Sequence, residues 1–134
     1  MAEKPARASS TDILIVEDDD AIRESVAQIL SEAGYQVRQA ENGRVALDAL
    51  LASDTPPDLI LLDLMMPVMA GGEFVIEIAK HPQLRTVPVV VISAHLGNFP
   101  QRAKYECLAK PFSTQRLLEV VANYCMRPRV AAKR

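Results

Sequence analysis

Leu59-Ile60-Leu61-Leu62-Asp63 opens the stretch that decides the fold, LILLDLMMPVMAGGEF over residues 59–74. Four consecutive apolar residues run directly into a carboxylate. A strand covered by helices on both faces loses the apolar–polar alternation and reads as a short continuous apolar run. Pro56–Pro57 breaks the chain before this strand, and Gly71–Gly72 precedes a helical pattern that reaches about Lys80. The unit is therefore strand, polar end, loop, helix.

The same unit recurs on either side. Ile13–Leu14–Ile15–Val16 is a second such run, ending in Glu17–Asp18. Asp19 or Asp20 can cap a helix from about Ala21 to Ala33, with Ile22, Val26, Ile29, Leu30 and Ala33 at helical spacing and Gly34 at its end. Tyr35–Ala40 reads as a strand, and Asn42–Gly43 opens a helix through about Leu51 with Leu47, Leu50 and Leu51 inward. Val87 to Ile92 is the fourth strand, with Pro88 near its start, where a missing donor is tolerated. Cys107–Ala109 is a short fifth strand; Ser113 or Thr114 then caps a last helix to about Met126, with Leu117, Leu118, Val121 and Cys125 inward. Alternating strands and helices with short loops predict an α/β fold with a parallel sheet and helices on both faces.

Composition fits one such domain and narrows what it does. The chain has 134 residues, 49% hydrophobic and 24% charged, enough to bury a proper core. Aromatic residues are only 4% and there is no Trp, which leaves little material for base-stacking platforms. The net charge is −2; residues 1–10 carry +1 and residues 127–134 carry +4, so −7 falls on residues 11–126. An acidic body argues against nucleic acid as a direct partner. The first ten residues read as a disordered lead-in and the last eight as a basic tail. Cys107 and Cys125 lie in no metal-ligand spacing and are expected as buried, reduced thiols. No apolar run approaches the roughly 20 residues of a membrane span, and the N-terminus lacks a signal peptide's apolar core. A cytoplasmic protein without membrane contact is expected.

In a parallel sheet the carboxyl ends of the strands share one edge, where ligands bind. That edge is predicted to gather Glu17 and Asp18 from strand one, Asp63 from strand three, Ser93 from strand four and Lys110–Pro111 after strand five. Each alone has an ordinary explanation as a cap, a turn residue or a surface side chain. Together they bring three carboxylates, a hydroxyl and an ammonium to one cleft. Crowded carboxylates repel, and a hard divalent cation with oxygen ligands relieves that repulsion. With a cation present, an Asp carboxylate can attack phosphorus to give an acyl phosphate, while the cation, Lys110 and Ser93 stabilise the phosphoryl oxygens.

The segments ILIVEDDDAIR, LILLDLMMPVMAGGEF, VPVVVISA and AKPF, in this order over about residues 12–126, resemble the receiver domain of two-component response regulators. The resemblance implies a flavodoxin-like three-layer sandwich with strand order 2-1-3-4-5. It implies that Asp63 is the phosphorylated aspartate, that Glu17 and Asp18 are the acidic pair for Mg²⁺ (or Mn²⁺), and that Met65 gives its backbone carbonyl to the metal. Ser93 becomes the switch hydroxyl and Lys110 the phosphoryl-binding lysine. Met65 and His95 fall at the positions that flank the path of hydrolytic water. The donor is expected to be a histidine kinase or phosphotransfer protein, with self-phosphorylation and self-dephosphorylation but no other enzymatic activity. The organisation expected is a lead-in over 1–10, a receiver over 11–126 and a tail over 127–134, either a stand-alone regulator in a phosphorelay or a receiver cut from a hybrid kinase.

Two features depart from the family. Cys107 occupies the position where a switch aromatic is usual, with Tyr105 two residues earlier. The segment from Ser93 to Lys110 is shorter than the family norm by about five residues, more than one helical turn, so the fourth helix is expected to be shortened or irregular. Signalling is expected to pass through this region after strand four. Two alternatives are a non-phosphorylated pseudo-receiver acting as an interaction module, and an aspartate-dependent phosphatase of another α/β family. The latter resemble DxDx[TV] at the end of the first strand, which VEDDDA does not fit.

Overall fold

A computed structural model describes residues 11–65, 69–94 and 104–125. Five strands form one parallel sheet: β1 (Asp12–Val16), β2 (Gln36–Ala40), β3 (Leu59–Asp63), β4 (Val89–Ser93) and β5 (Glu106–Ala109), in the order β2-β1-β3-β4-β5. Four helices are present among the described residues: α1 (Asp20–Glu32), α2 (Gly43–Ala52), α3 (Gly71–Ala79) and α4 (Thr114–Cys125). The expected α/β architecture and strand order are observed. The lead-in, the basic tail, His95 and the expected shortening of the helix after β4 fall outside the described residues or within the undescribed stretch 95–103.

The strand pleat splits each apolar run between two cores. Ile13, Ile15, Leu59, Leu61, Val90 and Ile92 point to the face covered by α1 and α4, where Val26, Leu30, Leu117 and Val121 meet them. Leu14, Val16, Ile60, Leu62, Val89 and Val91 point to the opposite face, against Leu47, Leu50, Phe74 and Ile78 of α2 and α3. Residues two apart in a strand share a face, so one apolar run serves both layers. Phe74 is fully buried, and truncating it to Ala costs roughly 3–5 kcal/mol.

Helix starts follow local chemistry. The Asp19 carboxylate accepts from the Ile22 N–H at 3.0 Å, Asn42 accepts from the Val45 N–H at 2.9 Å, and the Ser113 hydroxyl accepts from the Arg116 N–H at 3.0 Å. Each satisfies a donor that the first turn leaves open. After α1 the chain turns through Gly34 at φ +104°, a left-handed conformation that a Cβ would strain. Some details differ from the sequence reading. Leu51 is exposed, because α2 presents only Ala46, Leu47 and Leu50 to the core. Ala33 is exposed as the C-cap of α1. β4 starts at Val89, so Pro88 precedes it, and its carbonyl accepts from the Ile60 N–H at 3.0 Å. Both thiols are free and half-buried rather than buried. Among the described residues no helix is long and apolar enough to cross a membrane.

Candidate functional site

The register carries the polar strand ends to one edge. Val16 of β1 pairs with Leu62 of β3, so Glu17 and Asp63 follow side by side. Asp63 pairs with Ile92, and Ser93 pairs with Ala109, which puts Lys110 one residue past β5. The Lys110 N–H donates to the Ser93 carbonyl at 3.0 Å. The Lys110–Pro111 peptide is cis.

Glu17, Asp18 and Asp63 each offer a carboxylate oxygen within 4.8 Å of the others. Glu17 and Asp63 are buried and Asp18 is exposed. Among the described residues one cation reaches into this group: Lys110 Nζ lies 3.0 Å from Glu17 Oε1 and 3.6 Å from Asp63 Oδ1. The Asp19 N–H donates to Glu17 Oε2 at 3.2 Å, and the Met65 N–H donates to Asp63 Oδ1 at 3.4 Å. Glu17, Asp18, Asp63, Met65, Ala94 and Lys110 line an open cleft of about 300 Å³.

Electrostatics at the cleft are unbalanced. Burial first, and then the Glu17 carboxylate, push the Asp63 carboxyl up to about 7, against the pull of the Lys110 ammonium and the Met65 N–H. Burial also works against the Lys110 charge, but the hydrogen bond to Glu17 and the field of Asp63 outweigh it and hold that ammonium above its usual value. An oxygen-rich group short of positive charge is chemically matched to Mg²⁺ or Mn²⁺ and poorly matched to a soft metal.

The sequence-predicted residues separate by position. Glu17, Asp18, Asp63 and Lys110 converge. Met65 stands at the rim with its side chain turned outward, 59% exposed, and its amide against Asp63. Ser93 is wholly buried at the end of β4, while Ala94 beside it lines the cleft. Cys107 packs with Tyr105 against the α2–α3 core, its thiol 3.4 Å from the Tyr105 carbonyl. Cys125 is pushed up to about 11 by burial and by nearby Asp58, which leaves it a poor nucleophile. Sequence reading missed Arg23 and Gln39, which meet at 3.2 Å beside the acidic turn.

The response regulator receiver domain family matches residues 13–122. The chain belongs to that family. Receiver domains of two-component systems are signalling domains that work with histidine kinases as phosphodonors. Response regulator MprA of Mycolicibacterium vanbaalenii is 40% identical over 115 residues, covering 79% of this chain and 46% of MprA. The polar-differentiation response regulator DivK of Brucella anthropi is 30% identical over 117 residues, covering 84% of this chain and 94% of DivK. The solved response regulator TrrA of Thermotoga maritima, in complex with Mg²⁺–BeF, superposes with a TM-score of 0.74 at 31% identity, covering 85% of this receiver and 98% of TrrA. The chain spans about half the length, or less, of the longer curated relatives it matches.

Proposed function

We propose that this receiver accepts a phosphoryl group from a partner kinase's phosphohistidine, or from a phosphotransfer protein, onto Asp63. The observation that carries this reading is the convergence of three carboxylates within 4.8 Å, with the Lys110 ammonium 3.0 and 3.6 Å from two of them, at the ends of separate strands. Glu17, Asp18, Asp63 and the Met65 backbone carbonyl would hold Mg²⁺ or Mn²⁺. The bound cation supplies charge that lets Asp63 ionise and that neutralises phosphoryl oxygens. An Asp63 carboxylate oxygen attacks phosphorus; the P–O bond forms as the P–N bond breaks, and the imidazole leaves with the electron pair and takes a proton from solvent. Lys110 turns from Glu17 toward the new phosphoryl oxygens. Ser93 donates its hydroxyl to one of them, and that engagement changes partner binding through the region after β4.

Met65 bears on the lifetime of the acyl phosphate. Its apolar side chain at the rim offers no group to orient a hydrolytic water, so the phosphorylated form persists. Cys107 lacks the bulk for a swinging aromatic switch, which leaves the Ser93 end of β4 as the origin of the signal.

The test is intact mass after incubation with acetyl phosphate, with and without Mg²⁺. One phosphoryl group should appear on the parent only with the cation, and none on Asp63→Asn. A stoichiometric adduct on Asp63→Asn would place the acceptor elsewhere.

A further inference from the structure

Two of the three carboxylates in the acidic cleft are held by their surroundings: Glu17 and Asp63 are buried and share Lys110. Asp18 is exposed, so its direction comes from the backbone of the turn between β1 and α1. Without a cation the three charges repel, and a turn free to relax would carry Asp18 outward.

Arg23 restrains that turn. From the first part of α1 its side chain folds back toward the end of β1, and it is only 12% exposed. Three nitrogens of one guanidinium serve three separate pieces of chain. Nη1 donates to the Glu17 carbonyl at 2.9 Å, Nη2 donates to Asp20 Oδ1 at 2.7 Å, and Nε donates to Gln39 Oε1 on β2 at 3.2 Å. The Glu17 carbonyl and the Asp18 N–H belong to one planar peptide, so fixing the oxygen fixes the plane from which Asp18 departs. The Glu17 N–H is already tied to the Ala40 carbonyl at 3.1 Å. Arg23 thus completes a two-point hold on the residue between strand and turn.

We propose that Arg23 is a positioning residue for the cation site: its guanidinium fork, steadied by Asp20 and Gln39, fixes the Glu17 carbonyl and thereby aims Asp18 at Glu17 and Asp63. This rests on the cation reading of the acidic cleft. A lysine keeps the charge but not the planar fork, and reaches one partner where Arg23 reaches three. Geometry and charge are therefore separable by a single substitution.

The experiment is a Mg²⁺ titration by calorimetry on the full chain and on Arg23→Lys and Gln39→Ala, alongside their metal-free melting temperatures and amide exchange. Arg23→Lys should melt within a few degrees of the parent yet bind Mg²⁺ about tenfold more weakly, the scale on which partners that orient metal ligands act. Without metal, its Asp18 and Asp19 amides should exchange faster than the parent's, because the charge is kept and only the fork that holds the turn is lost. Gln39→Ala, on the exposed edge strand, should weaken Mg²⁺ in the same direction by less. Arg23→Lys with parent-like Mg²⁺ affinity overturns the proposal. If Arg23→Lys does not fold, Gln39→Ala decides, and parent-like affinity there overturns it. A parent chain that takes up no Mg²⁺ removes the cation reading itself, whereas a parent that binds alongside variants that bind equally well removes only the role of Arg23.

Discussion

At the amino end of the sheet, Arg38 grips Asp12 through two nitrogens, at 2.6 and 3.0 Å to Asp12 Oδ2, and reaches the Thr55 carbonyl at 3.3 Å. Asp58 accepts from the Asp12 N–H at 2.8 Å. Each carboxylate there has a donor of its own. At the carboxyl end, Glu17, Asp18 and Asp63 crowd within 4.8 Å around Lys110, which reaches two of them. Both ends set carboxylates on or beside β1 and β3 next to a basic side chain, Arg38 of β2 at one and Lys110 after β5 at the other. At one end each described carboxylate has a hydrogen-bond donor and the contacts tie strands together; at the other, among the described residues, three carboxylates share one ammonium in an open cleft. The first arrangement serves the fold, and the second is available to a cation and a phosphoryl group.

The sharpest way to break this contrast is to remove the crowding. Glu17→Gln with Asp18→Asn should weaken Mg²⁺ binding by about a hundredfold or more, because two of the three charges that attract the ion are gone. Calorimetric titration reads this, and the metal-free variant should melt no lower than the parent.

A smaller effect follows from Asp63 alone. Burial and the Glu17 carboxylate push its carboxyl up to about 7 in the folded protein, above the ordinary carboxylate range. A raised carboxyl binds more protons folded than unfolded. Its contribution is therefore fully present below the unfolded value and is lost as pH rises through 7. In the metal-free protein Asp63→Asn should be more stable than the parent at pH 8, on the order of 1–3 kcal/mol. The gap should close near pH 4, as chemical denaturation at both pH values would show. Equal stabilities at pH 8 would mean that the cleft carries no penalty.

The amino end should respond in the opposite sense and more weakly. Arg38→Ala leaves Asp12 without its guanidinium at a half-exposed site, so a loss of about 1 kcal/mol is expected. Mg²⁺ affinity should stay at the parent value. A change in Mg²⁺ binding on Arg38→Ala would show that the two ends are not independent.

Much of this contrast is legible in sequence, and the reasons are physical. LILLD reads as a strand with a carboxylate at its end because parallel strands buried on both faces keep no alternation. Glu17, Asp63 and Lys110 can be placed together because every strand end in a parallel sheet lies on one edge. The full burial of Ser93 was not legible, since how far a strand's last residue is covered depends on the neighbours that the register with β3 and β5 brings beside it. Arg23 was hidden for a different reason. Its partners Glu17, Asp20 and Gln39 lie just past β1, in α1 and in β2, and only the pairing of β1 with β2 brings Gln39 near. Leu51 was misplaced because α2 is short, and an apolar residue at its end fits the helical spacing without facing the core.

Among the described residues, the carboxyl end of the sheet holds more negative charge than its own lysine neutralises. A carboxyl-carbon NMR titration of Asp63, without and with saturating Mg²⁺, tests it most directly. The structure predicts a midpoint near 7 without the cation, because burial and Glu17 outweigh Lys110, and a marked fall when Mg²⁺ is added. A metal-free midpoint in the ordinary carboxylate range, unmoved by Mg²⁺, would contradict it.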